Sequence, residues 1–228
     1  MDQATLNDIL RKHELWLSND PNGERADLRH AYLKNANLKS AHLEGANLED
    51  ADLVGADLKD ADLKEANLED VELEGANLER AHLEGTDLER ANLAYAYLEN
   101  ANLKGAHLKY SYLVGANLKG ANLEATNLED AALEEADLTG ANLRHANLRH
   151  ANLESANLEE TDLRNADLED ADLVGTNLEN ADLRNANLKG AYLRYTDLKH
   201  ANLKGSYLKH TDLGTALLEG ADLEGAKL

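Results

Sequence analysis

From residue 24 to residue 228 the chain is a five-residue phrase repeated without a gap or an insertion. It reads Ala26-Asp27-Leu28-Arg29-His30, then Ala31-Tyr32-Leu33-Lys34-Asn35, and so on to Ala226-Lys227-Leu228. Leu stands at the centre of all 41 phrases, every fifth residue from Leu28 to Leu228. Two residues before each Leu is a small side chain, Ala in 32 of the 41 and otherwise Ser, Thr or, once, Val71. A fixed short period decides the fold before any other pattern counts. On an α-helix every fifth residue advances about 140°, so the leucines would spread round the whole cylinder. On a continuous strand successive leucines would alternate faces, because five is odd. What remains is a short extended piece and a corner in every phrase. The small residue and the Leu then share a face, and the corner turns the next pair inward again. Repeated corners of one hand give a coil with Leu and Ala inside. The other three positions, such as Asn47, Glu49 and Asp50, point outward.

Asn or Asp precedes the Leu in most phrases, as in Asn37-Leu38, Asp52-Leu53 and Asn147-Leu148. This is the A(D/N)LXX signature, and the whole of residues 24–228 resembles the pentapeptide-repeat family. The resemblance implies an all-β solenoid, a right-handed quadrilateral β-helix with four phrases, or 20 residues, to each coil. The spacing of Val54, Val114 and Val174 (60 residues) and of Tyr32, Tyr112 and Tyr192 (80) fits a coil of 20, though also one of 10. On the implied coil the chain makes about ten coils, a rod roughly 50 Å long at ~4.8 Å per coil. The chain has no Phe, which in the family often alternates with Leu at the centre of the phrase. Such uniformity fits either a young expanded repeat or an engineered consensus. Val71, the largest of the inward small residues, is expected to strain or widen its coil.

Residues 1–25 differ from the repeat and are read as an N-terminal capping helix and turn, with residues 26–228 as the β-helix. Thr5 followed by Asp8 resembles a capping box at a helix start. Leu6, Ile9, Leu10, His13, Trp16 and Leu17 fall on one helical face. Ser18-Asn19-Asp20-Pro21-Asn22-Gly23 supplies turn chemistry that ends the helix. A solenoid end needs such a cover, because its last coil exposes core and unpaired strand edges. The mixed charge of Asp8, Arg11, Lys12 and Glu14 does not suggest a membrane-surface helix. No comparable cap appears at the other end. Leu217 occupies an outward slot beside Leu218. With Leu213, Leu223 and Leu228 it is expected to form an apolar end through which two chains pair as a homodimer.

The net charge is −21, from 23 basic and 44 acidic residues. This counts against direct nucleic-acid binding, which needs basic patches. Residues 44–90 hold 16 acidic and 4 basic residues, a net of −12, whereas residues 184–212 hold 6 basic and 2 acidic, a net of +4. On a 20-residue coil Glu49, Glu69 and Glu89 form an acidic ladder, and Arg144, Arg164 and Arg184 a basic one continued by Lys204. Each is a candidate docking strip or a merely solvated column. Tyr95, Tyr97, Tyr110 and Tyr112 gather within about one coil, and Tyr192, Tyr195 and Tyr207 form a second group. Exposed tyrosines are frequent anchors of protein interfaces, and they also serve to stack over corners.

No catalytic constellation stands out. There is no Cys, and no HExxH, Gly-rich phosphate loop or GxSxG. His145 and His150 follow Arg144 and Arg149, and His200 and His210 follow Lys199 and Lys209, neighbours that disfavour cation binding. His42 and His82 lie two coils apart, too far for one metal. Neither a cofactor nor a metal is expected. With no Cys, no secretory leader and no membrane-spanning run, the expected place is the cytoplasm and no membrane partner is foreseen. The leading expectation is a non-catalytic scaffold that binds a protein partner which the sequence does not name. The resemblance offers a second: some family members are acidic rods that mimic duplex DNA and bind DNA gyrase, protecting it from quinolones. Against it stand the basic C-terminal third and the lack of inserted loops.

Overall fold

The computed structural model describes residues 1–228. The residue before Leu forms a parallel bridge with the residue 20 positions on, from Asp27↔Asn47 to Tyr207↔Lys227, with a single gap between Tyr192 and Asp212. One coil is therefore 20 residues and four phrases, each phrase closing in a two-residue turn. The coil has four sides, carrying in order Leu28, Leu33, Leu38 and Leu43 and the residues 20 further on. Two strand positions per phrase suffice because the ladder runs between coils and not along the chain. Leu28 N–H donates to Asn47 O at 2.7 Å, His30 N–H to Glu49 O at 2.9 Å, and Asn47 N–H to Ala26 O at 3.0 Å. A fourth bond, Ala31 N–H to Leu28 O at 3.1 Å, closes the corner.

The preference for Asn or Asp before Leu has a local cause. The side-chain oxygen accepts the amide two residues on, as where Glu49 N–H donates to Asn47 Oδ1 at 3.1 Å, and so holds the turn. The next residue, at the corner itself, is left-handed: every corner from His30 to Gly225 has φ between 54° and 71° except that of Thr215. Thirteen of these corners are Gly, and Asn, Asp and His account for fifteen of the rest. Those types visit this region most readily. Arg80, Glu65 and Tyr95 adopt it as well, at ~1 kcal/mol or more apiece, so the stacked coils override local preference.

The interior is the predicted one: 66 buried residues form a single core of Leu and Ala columns, with one Val. Buried hydroxyls at the small position find carbonyls, except that of Ser206, which has no partner. Thr86 donates to Leu63 O at 2.9 Å, and Thr126, Thr176 and Thr196 do likewise. Val71 is fully buried and keeps both ladder bonds, 3.0 Å from Glu72 N–H to Ala51 O and 2.9 Å from Asn92 N–H to Val71 O. Its corner bond is 3.2 Å, as at Thr86 and Thr161. The expected disruption is therefore confined to one slightly long bond.

Helix α1 spans Gln3–Leu17. It starts earlier than the Thr5–Asp8 pattern suggested: Asp2 is the N-cap, its carboxylate accepting from Thr5 N–H at 2.8 Å and Thr5 Oγ1 at 3.1 Å. Asp8 instead pairs with Arg11 at 2.8 Å. Leu6 and His13 are buried against the first coil, with Ile9 and Leu10 partly so. Trp16 is 40 % exposed and stacks on the His13 ring. After the helix the chain doubles back so closely that a Cβ on Gly23 would lie 2.1 Å from Trp16 N. Glu24 N–H then donates to Lys12 O at 3.1 Å, and Ala26 N–H to His13 Nδ1 at 3.0 Å. The helix is thus tied to the coil it covers.

The final coil is looser. Leu213, Leu218 and Leu223 are only partly buried, Leu217 is 49 % exposed and Leu228 81 % exposed. On its second side the ladder opens. Leu193 N–H and Asp212 N–H make no backbone hydrogen bond, and Tyr195 N–H is taken by Thr215 Oγ1 at 3.0 Å in place of the Gly214 carbonyl. Thr215 is the only β-branched residue at any corner from residue 30 on and the only corner there without a positive φ. A branched Cβ tolerates the left-handed region worst, so this corner takes another shape and its strand lifts away.

Candidate protein-interaction surface

Three outward columns per side leave the rod: the residue before Leu, the one after it, and the corner. Because successive coils bring residues 20 apart together, the charged ladders read from the sequence do align. Cations from other columns reach into them. Arg90, at a corner, bonds Asp70 at 2.8 and 2.9 Å, Glu89 at 2.8 Å, and also Glu69. Glu49 alone of that acidic ladder has no ion pair. In the basic ladder Arg164 pairs with Asp162 and, at 3.5 Å, with Asp182, and Arg184 pairs with Asp182 at 2.5 Å. Arg144 has no carboxylate partner, and its Nε is buried without an acceptor. Tight clusters shift the carboxyls they hold. Lys189 and Arg149, at 2.6 and 2.5 Å, hold Glu169 down to about 2. Arg29 does the same to Asp27, also to about 2. Glu44 is raised by a hydrogen bond shared with Asp62 and by burial.

The tyrosines make a transverse band. Tyr112 stands on the second side, Tyr110 at the corner before it, Tyr95 at the corner after it one coil earlier, and Tyr97 just beyond. Each is roughly half exposed. Tyr95 also stacks over a corner: a Cβ on Gly115 would fall 2.7 Å from its ring. Tyr192 and Tyr195 lie on the same second side, 80 and 100 residues on from Tyr112 and Tyr95. Tyr207 lies on the first side, where its hydroxyl accepts from Lys227 Nζ at 2.7 Å.

Nothing on the rod is arranged for chemistry at a metal: no three His, Asp or Glu side chains are placed to hold one. The hollows are surface grooves of about 140 to 380 Å³. One of about 300 Å³ lies under Trp16 against Glu44, Lys64 and Glu65. Another of about 300 Å³ opens where the Thr215 corner lifts, beside Tyr192, Arg194 and His210. Sequence reasoning missed the second groove. Its signal was the one β-branched corner residue.

The sequence profile of the pentapeptide repeats matches residues 24–60, 56–94, 72–109, 86–124, 126–165, 161–199 and 196–228. No curated protein matches the chain. Among solved structures it is similar to HetL, a pentapeptide repeat protein involved in heterocyst differentiation regulation from the cyanobacterium Nostoc sp. strain PCC 7120. The two are 32% identical over 94% of this chain and 92% of that one, with a TM-score of 0.54. It is similar also to a pentapeptide repeat protein of the Arabidopsis thaliana thylakoid lumen, 31% identical over 45% of this chain and 71% of that one, TM-score 0.44. A third is QnrB1, a plasmid-mediated fluoroquinolone resistance protein, 20% identical over 90% of each chain, TM-score 0.46. The match to HetL and the repeat profile imply that the β-helix is right-handed.

Proposed function

We propose, from the premise that this chain belongs to the pentapeptide-repeat family, that it is a non-catalytic rod of about ten coils whose outward columns dock a protein partner. The single observation that carries this reading is the division of labour in the phrase. Inward positions are uniform Leu and small residues, and all variety, including seven of the eight tyrosines beyond 45 % exposure, faces out. Chemical cross-linking in the source cell, with the wild-type rod and with variants in which one side at a time is changed to Asn and Gln, tests it. Loss of one captured protein on changing one side supports the reading. Turnover of a small substrate, or capture indifferent to every side, overturns it.

The open last coil carries a second element of the proposal. Half-buried Leu218 and Leu223 and exposed Leu217 would be covered by the same end of a second copy, related by a two-fold axis. Sedimentation should show a dimer that Leu217→Glu with Leu223→Glu converts to a monomer. A monomeric wild type removes it. The DNA-mimic reading is the weaker one, because Lys59, Lys64, Arg80 and Arg90 interleave with the carboxylates of the most acidic segment. A gyrase supercoiling assay with neither inhibition nor protection at micromolar protein would exclude it.

A further inference from the structure

The second side of the coil differs in charge from the other three. Between Lys34 and Arg194 it holds no Lys or Arg for seven consecutive coils, whereas no other side goes more than three coils without one. Its carboxylates lie in two groups, Asp52, Glu72 and Glu74 toward the helix end and Glu134, Glu135, Glu154 and Asp172 toward the other. Only Asp52 has an ion-pair partner, Lys34 at 3.3 Å. Elsewhere on the rod, carboxylates are gathered by Arg90, Lys109, Arg149 and Arg164. Glu134 is held in place by Asn152, which donates to one of its oxygens at 2.6 Å, while the other oxygen is buried with no partner.

Between the two acidic groups this side carries no charge at all for two coils, residues 91–95 and 111–115. Asn92, Ala94, Tyr95, Tyr112 and Val114 form its surface there, with Tyr95 58 % and Tyr112 56 % exposed and Asn92 donating to Glu72 Oε2 at 2.7 Å. Tyr97 and Tyr110 carry the band past both corners. From the coil of Glu72 to that of Glu154 is four steps, ~19 Å at the interstrand spacing. About six extended residues span that distance.

We infer that this side docks a cationic segment of a protein partner, laid along the rod with basic residues over the two carboxylate groups and an apolar or aromatic residue between Tyr95 and Tyr112. The inference rests on the reading of the rod as an interaction scaffold and names the side and the partner chemistry. Charge complementarity selects the occupant. Six carboxylates without counter-charges repel one another, and basic side chains relieve this. A second copy of the same side, or a nucleic acid, would add to the repulsion. Tyrosine rings accept cations on their faces, as Tyr110 already does with Lys109 Nζ at 4.8 Å from its centre, and are frequent interface anchors.

The test uses a fluorescent eight-residue peptide with two basic residues at each end and Leu-Trp in the middle, beside a peptide with Glu at the ends. Binding to the full chain is read by anisotropy at about 50 and 300 mM salt, a range over which exposed charges become screened. Tyr112→Asn places in its column the residue already present at Asn92. Glu72→Gln with Glu134→Gln and Glu154→Gln removes charge without volume. Glu49→Gln with Asp87→Asn and Asp130→Asn removes as much charge from the first side. Far-ultraviolet dichroism checks that each variant keeps the fold. Expected are binding of the basic peptide alone, weakened by salt, a loss of about tenfold or more in each second-side variant, and none from the first-side variant. Equal losses from the two triple variants would reduce the effect to net charge and overturn the inference. So would an unaltered affinity in Tyr112→Asn. Failure of the basic peptide to bind, while a cross-linked partner is still lost on changing another side, overturns the assignment and leaves the scaffold reading standing.

Discussion

Thr215→Gly should close the open ladder of the last coil. The reasoning is that a β-branched residue refuses the left-handed corner adopted at every other position from His30 to Gly225, and that the strand at Asp212 lifts as a result. Restoring the corner would let Leu193 N–H reach Asp212 O and Asp212 N–H reach Ala191 O, as their counterparts do one coil earlier, where Leu173 N–H meets Tyr192 O at 2.9 Å. Two backbone hydrogen bonds at about 1 kcal/mol each are gained. Against them stands about 1 kcal/mol for the greater freedom of Gly in the unfolded chain. Tyr195 N–H exchanges Thr215 Oγ1 for the Gly214 carbonyl, close to neutral. The net is about 1 kcal/mol, local to one coil, so a global melting temperature is a blunt readout for a repeat rod. Amide hydrogen exchange is the sharper one. Protection at Leu193 and Asp212 should rise by about fivefold or more. Thr215→Val, which cannot turn the corner and also frees Tyr195 N–H, should lower protection at Tyr195. If Thr215→Gly and Thr215→Val leave Leu193 exchanging at the same rate, the corner residue does not govern the opening and the argument fails.

Other corners and clusters give further expectations. Gly75→Ala adds a Cβ that meets nothing within 4 Å, at φ 62°. It should cost ~1 kcal/mol from the left-handed backbone alone, and a zero effect in denaturant unfolding would count against that figure. His13 is buried, its Nδ1 accepts from Ala26 N–H, and its pKa is lowered, chiefly by burial and further by the charges of Arg25 and His42, while the Glu44 backbone and the Glu14 carboxylate act the other way. The unfolded chain then binds the extra proton, so the helix cap weakens as pH falls below the ordinary histidine range. The protection factors of α1 amides, taken relative to the intrinsic exchange rate at each pH, should fall there in the wild type and lose that pH dependence in His13→Gln. Glu169, held down to about 2 by Lys189 and Arg149, contributes stability that is full above the ordinary glutamate range and is lost as pH falls toward 2. Glu169→Gln should flatten the acid limb of a melting-temperature profile, and an unchanged limb would refute the pairing.

What could be read from the chain was what repeats. The inward Leu and Ala columns follow from a period of five, and the spacing of Val54, Val114 and Val174 already allowed the coil of 20 that the bridges show. The surface was less legible, because it was read one column at a time. The acidic ladder of Glu49, Glu69 and Glu89 looked unrelieved until Arg90, in the neighbouring column, proved to bond two of its members. Ion pairs here join residues 2, 18 or 20 apart, as in Arg184–Asp182, Arg149–Asp167 and Lys59–Glu79, and corner arginines reach residues 1 or 21 apart, as in Arg90–Glu89 and Arg90–Glu69. Which of these forms depends on side-chain reach. The helix start was misplaced for a related reason: Asp2 and Thr5 satisfy the cap, whereas the Thr5–Asp8 spacing matched a pattern whose second partner was drawn to Arg11. The single irregular corner was visible in principle, since Thr215 is alone in its class, but its meaning required knowing the sign of φ at every other corner.

Four phrases per coil also make the molecule an arithmetic object. Losing or gaining one phrase would leave the Leu and Ala packing intact, yet give every later residue a quarter turn about the axis. Tyr112 and Glu134 would then part company with Glu72 and face another quadrant. Only a change of twenty residues shortens or lengthens the rod while preserving its compass bearings, so inheritance of a binding face should count in twenties even though the fold counts in fives.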